Sequence, residues 1–115
     1  MNTLNALESA AIATLILGEE EAQFLQAQLE LAIIRSREAT GVGFFTEIDT
    51  PQSLSTPSKK SYQLSNAVAD IKGLKNGAGF VLYVENGLMR CLEGFAYDEV
   101  WPAQVEEFSV RKHRL

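Results

Sequence analysis

The side chains able to do chemistry in this chain are few. They are one thiol, one imidazole, and carboxylates spaced near three arginines. Nucleophilic catalysis needs a base within reach of the nucleophile. Cys91 has a single histidine to draw on, His113, and that residue lies in the C-terminal basic stretch Arg111-Lys112-His113-Arg114. Cys91 itself sits in an apolar run, where a structural thiol is the ordinary outcome. One cysteine and one histidine cannot supply a zinc site, and no EF-hand spacing of acids is present. The pairs Gly41-Val-Gly43 and Gly77-Ala-Gly79 lack the further glycine and helix that a dinucleotide site requires. No catalytic residue, metal ligand or cofactor is therefore assigned, and an enzyme is not expected.

Glu93 is the most informative acid. It lies between apolar residues in Leu88-Met-Arg-Cys-Leu-Glu-Gly-Phe95, a strand-like run with both faces largely apolar. A carboxylate there needs a partner or an edge position. Arg35, Arg37 and Arg90 are candidate partners, and a Glu–Arg pair that orders a sheet is the plain expectation. The functional one is a small-molecule pocket lined by Glu93, an arginine and Tyr83. With Trp101, these six make the candidate binding set: Glu93, Arg90, Arg35, Arg37, Tyr83 and Trp101.

The elements that must position them follow from periodicity. Residues 4–17 carry Leu4, Leu7, Ala11 and Leu15 at helical spacing, with Asn5 and Glu8 at capping-box spacing, Thr3 as the alternative cap, and Gly18 as terminator. Glu8 is the only charge in this segment, so the helix is either sandwiched in the core or covered by a partner. Glu19-Glu20-Glu21 opens a second helix over residues 19–32, its acids opposing the helix dipole rather than holding a metal. Ala22, Leu25, Leu29 and Ala32 form the inward stripe, with Gln23, Gln26 and Gln28 facing water. Residues 32–38 can continue the helix or turn extended; pairing with 42–48 through Thr40-Gly41 is expected. The Pro- and Ser-rich residues 50–62 read as a mobile loop. Strands follow over 68–74, 79–85 and 88–95, with Asn86-Gly87 as a type I′ turn, and 104–110 adds an edge strand or short helix. The expected fold is α+β in one domain, 1–115: an N-terminal helical hairpin packed on an antiparallel β-meander of about four to six strands, the sheet drawn from residues 33–110. The second sheet face then meets a small internal cluster, the C-terminal segment or a partner.

Composition narrows the partners. The chain of 115 residues is 46% hydrophobic and 22% charged, with net charge −5. Residues 1–50 hold eight acids against two bases, and residues 51–115 hold seven acids against eight bases. An acidic chain repels a phosphate backbone, so nucleic acid is not expected, and the basic tail reads as a solvated end. Ala10 to Leu17 is too short an apolar run to span a bilayer, and no Lys or Arg precedes Arg35, so neither a membrane span nor a secretory signal is expected. One cysteine fits a reducing compartment, and a cytoplasmic location is expected.

Three segments carry a resemblance. Thr40-Gly-Val-Gly-Phe-Phe-Thr46, Gly77-Ala-Gly-Phe-Val-Leu-Tyr83, and Leu92-Glu-Gly-Phe95 through Trp101-Pro102 together resemble a group of small uncharacterised bacterial proteins. The hairpin ending in Leu-Glu is also similar to one found in assorted small bacterial proteins, some suspected of neutralising toxins. The resemblance implies no catalytic residue. The leading expectation is a non-catalytic protein–protein interaction module, immunity-like by that resemblance, whose partner is itself or another protein. The alternative is a small-ligand-binding domain with a pocket near the sheet. Exposure of Trp101 and Phe95 favours the first, and a pocket ringed by Arg and Glu favours the second.

Overall fold

A computed structural model describes residues 2–113. Helix α1 (Ala6–Ile16) starts at a complete capping box. The Asn5 side chain accepts from the Glu8 N–H at 2.8 Å, and Glu8 Oε1 accepts from the Asn5 N–H at 2.8 Å. Asn5, not Thr3, is the cap. Gly18 follows the helix with φ +81°, a conformation that costs glycine little. The helix is shorter than the expected 4–17 at both ends. Its apolar character is explained by burial within this chain: Leu7, Ala11, Ile12, Leu15 and Ile16 are buried in the core, while Ala6 and Ala13 supply much of the outer side.

Helix α2 (Ala22–Leu31) starts later than residue 19, so the acidic run stands before the first turn. The Glu21 carboxylate reaches across to the loop instead, accepting from the Ser58 N–H at 3.0 Å and the Ser58 hydroxyl at 2.5 Å. Gln28 corrects the expected polar stripe. It is fully buried: its Nε2 donates to the Leu54 and Gly87 carbonyls, and its Oε1 accepts from the Met89 N–H. An amide offers both donors and an acceptor, which is what three converging backbone groups require.

Six antiparallel strands follow: β1 (Ile33–Ala39), β2 (Gly43–Asp49), β3 (Tyr62–Ile71), β4 (Ala78–Glu85), β5 (Leu88–Ala96) and β6 (Phe108–Lys112). Their order is β1-β2-β5-β4-β3-β6, so the α+β architecture expected from the sequence is present. Residues 32–38 resolve to strand, with Thr40 N–H bonded to the Gly43 carbonyl. Strand β3 begins at Tyr62, six residues before the expected 68, because β4 pairs along its whole length from Leu82 and Val84 back to Ala78. Asn86 and Gly87 both take positive φ, as a type I′ turn demands. Within residues 104–110 the edge strand begins only at Phe108: β6 pairs with β3, and 104–107 form no regular element.

The 50–62 segment is anchored rather than loose. A short 3-10 turn (Gln52–Leu54) leads to fully buried Thr56, whose N–H donates to the Gly87 carbonyl. The Gly87 N–H returns a bond to Lys60, and the Asn86 N–H bonds Ser61 Oγ.

Both helices lie on one sheet face. There Phe80, Leu82, Val84, Met89, Leu92 and Ile48 form the core with α1 and α2. The molecule measures 40 × 35 × 19 Å. Nineteen ångströms holds one helix layer and one sheet layer, at about 10 Å each. Among the described residues, no helix is long and apolar enough to cross a membrane.

Candidate functional site

Of the six candidate residues, Glu93 and Tyr83 fall on one surface and Arg37 and Trp101 on another. On the sheet face away from the helices, Phe45 stands opposite Glu93, and Glu93 opposite Val81; one step along, Glu47 stands opposite Cys91, and Cys91 opposite Tyr83. Phe45, Val81, Tyr83, Cys91, Glu93 and Phe95 are all half-buried, and Tyr97 is 42% exposed. Neither helix covers this face, and the C-terminal segment extends the sheet edge instead of crossing it. The residues that the second face could have met within this chain are thus placed elsewhere.

Glu93 pairs with a tyrosine, not an arginine. The Tyr83 hydroxyl donates to Glu93 Oε1 at 2.8 Å, and this bond, with burial, raises the Tyr83 pKa. Arg35 lies 3.6 Å from Asp49, Arg37 bonds Glu8, and Arg90 occupies a bulge in β5 with no ionic partner among the described residues. The expected Glu–Arg pair therefore corrects to Glu93–Tyr83. A phenol supplies one donor, and Glu93 is half-buried rather than fully enclosed.

Acids gather here. Glu38, Glu47, Glu85 and Glu93 have no salt bridge among the described residues. Burial, followed by the charges of Glu47, Glu93 and Glu85, pushes the Cys91 thiol up to about 11. At neutral pH it is a protonated, poor nucleophile. His113 sits beside β6, with two strands between it and β5, or about 14 Å at the usual strand spacing. The pair makes no dyad.

The second surface is a cleft of about 500 Å³ on the helix side, between the start of α1 and the chain around Trp101. Its apolar walls include Leu7, Phe44, Trp101, Pro102, Val105 and Phe108. The Phe44 and Trp101 rings meet edge-on, 5.4 Å between centroids. Trp101 is only partly exposed and faces this cleft, whereas Phe95 is on the bare face.

Glu8 and Arg37 stand at the polar end. Glu8 is 1% exposed, and each of its oxygens accepts two hydrogen bonds. Asn5 N–H and Arg37 Nη2 serve Oε1; Arg37 Nε at 2.9 Å and the Thr46 hydroxyl at 2.6 Å serve Oε2. Burial works to raise the Glu8 pKa, but the bonds from Arg37, Thr46 and Asn5 outweigh it and leave the carboxyl below its usual range. The same contact raises the Arg37 pKa. The sequence offered Glu8 only as a capping residue. Its signal was being the sole charge in an apolar helix.

The three motif segments interlock at these surfaces. Gly94 of Leu92-Glu-Gly-Phe95 has no side chain because the Phe44 ring lies over it. At Gly79 a Cβ would fall 2.6–2.7 Å from the Tyr97 hydroxyl and the Phe95 ring. Phe95 and Tyr97 pack edge-on there, centroids 5.5 Å apart. The Trp101 N–H bonds the Gly41 carbonyl at 2.9 Å, drawing the Trp-Pro segment to the β1–β2 turn. Glycine in one strand seats an aromatic from the next.

No protein-family model, curated protein or solved structure matches the chain at a significant level.

Proposed function

We propose that this chain is a non-catalytic interaction module whose uncovered sheet face docks a protein with a basic surface. The observation that carries this reading is the composition of that face: half-exposed Phe45, Val81, Tyr83, Phe95 and Tyr97 beside Glu38, Glu47, Glu85 and Glu93, none of which has a cationic partner among the described residues. Aromatic side chains are enriched in the cores of protein interfaces, and unpaired charge of one sign steers a partner of the other. A 40 × 35 Å outline leaves room for the roughly 800 Å² per partner of a standard interface.

A second copy fits this face poorly. Face-to-face pairing would bring the same four acids of each copy together, and like charges across an interface are costly. The toxin-neutralising role implied by the sequence resemblance is one form of the proposal, in which the acidic face covers a basic functional surface.

The test compares proteins captured by the wild type with those captured by Glu47→Lys/Glu85→Lys, both at exposed positions. The expected result is a basic protein retained stoichiometrically by the wild type, released by added salt, and lost with the double variant. A retained protein indifferent to both salt and the double variant, or none at all, would overturn the reading.

A further inference from the structure

We infer that the cleft beside α1 is a separate binding site, for a small neutral molecule with an apolar body and a carbonyl-type hydrogen-bond acceptor. Its volume of about 500 Å³ falls in the range of small-molecule sites. Its walls are mostly aromatic and aliphatic, with a few polar groups at one end, which is the usual division of labour in such sites.

Arg37 decides the ligand chemistry. Its Nε and Nη2 are committed to Glu8, with Nη2 also 3.5 Å from the Thr3 carbonyl. Nη1 has no partner among the described residues, and the side chain is 46% exposed where it lines the cleft. A guanidinium whose charge is already matched by a bidentate carboxylate keeps its directed N–H donors but little net positive field. Glu8 already balances the one arginine at this end of the cleft, so an anionic head would meet no net positive charge there. A neutral carbonyl accepts from Nη1 without needing one.

The walls are fixed independently of any ligand. Phe44 is held over Gly94, and the Trp101 backbone N–H is tethered to the Gly41 carbonyl. Such a preformed pocket pays little ordering cost on binding. The site is on the opposite side of the sheet from the proposed docking face, so each can fail without the other.

The experiment uses the full chain, ¹⁵N-labelled, titrated with a set of neutral bicyclic aryl amides led by 2-naphthamide, each beside its carboxylate such as 2-naphthoate. Trp101 is the only tryptophan, so a single indole N–H signal reports on the cleft wall. The expected result is a saturable shift of that signal and of Arg37 Nε–H with the amides, and binding at least tenfold weaker with the carboxylates. Ala39→Phe, at an exposed position opposite Phe44 in the register, fills the cleft and abolishes the shifts with the melting temperature retained. Arg37→Lys keeps a cation for Glu8 but loses the outward N–H pair, and brings the amide affinity down to that of a plain hydrocarbon. No saturable Trp101 shift across the set, carboxylates binding as tightly as amides, or shifts that survive Ala39→Phe would each overturn the inference.

Discussion

Replacing Arg37 by methionine tests how the Glu8 network is held, and its cost can be worked out beforehand. The substitution keeps a similar stem but leaves the Glu8 carboxylate, 1% exposed, with only the Asn5 N–H and the Thr46 hydroxyl. Breaking a buried ion pair from one side costs about 3–5 kcal/mol. Two effects reduce it here. Arg37 is 46% exposed, so water replaces part of what it gave. Glu8 can also escape by taking up a proton, which at pH 7 costs about 1.4 kcal/mol for each unit above a reference pKa near 4.3, or roughly 4 kcal/mol in all. The penalty at pH 7 is therefore about 2–4 kcal/mol, a fall in melting temperature on the order of 10 °C for a domain of this size. Its pH dependence identifies the cause. In the variant the folded pKa of Glu8 lies above its unfolded value, so protonation favours the fold and the deficit shrinks as pH drops toward 4.5. Adding Glu8→Gln to Arg37→Met should recover stability at pH 7, because the amide is neutral and still accepts from Asn5. Urea unfolding at pH 7 and 4.5 measures all of this. A cost below about 0.5 kcal/mol, or one that stays constant between the two pH values, would mean that Arg37 does not hold the buried Glu8 charge.

In the wild type the sign runs the other way. The Glu8 pKa is lowered by folding, so its stabilisation is complete above the unfolded value and is lost as pH falls through the folded one; Glu8→Gln should flatten the acid limb of a stability profile below about pH 4.5. Glu21 and Glu99, held low by hydrogen bonds from Ser58 and from the Lys75 and Asn76 N–H groups, leave some residual slope. Gln28→Leu keeps the volume but strips partners from the Met89 N–H and the Leu54 carbonyl, and should cost about 3 kcal/mol in urea unfolding, with the 50–62 loop the first segment to gain hydrogen exchange. Cys91, its thiol raised to about 11, should react with iodoacetamide far more slowly at pH 8 than a free thiol, and faster in Glu47→Gln.

Much of the fold was legible in the residues. Asn5-Glu8, Gly18, Thr40-Gly41 and Asn86-Gly87 each mark a local boundary by a local mechanism, and each boundary falls where its mechanism puts it. Long-range pairing was less so. Gln28 reads as a water-facing position because helical spacing says nothing of three backbone groups converging from residues 54, 87 and 89. Pro51, Pro57 and the serines read as a loose loop for the same reason, although Thr56 and Ser58 are tied to distant elements. The candidate site was half visible. Glu93, Tyr83, Arg37 and Trp101 were each singled out by residue type. Their division between two surfaces depends on β5 pairing with β2, and that requires the strand order. Phe45 was overlooked because it sits next to Phe44 in one strand, where only register decides which ring walls the cleft and which lies on the bare face.

Docking on the uncovered face is read most simply from the alkylation rate of Cys91 in the isolated complex with the basic protein that the wild type retains. Cys91 stands between Glu47 and Tyr83 on the uncovered face, so it reports occupancy of that face alone. A partner docked there should slow alkylation by at least roughly tenfold, with protection lost in Glu47→Lys/Glu85→Lys and retained in Ala39→Phe. An unchanged Cys91 rate in a stoichiometric complex would put the partner on another surface and rule out docking at this face.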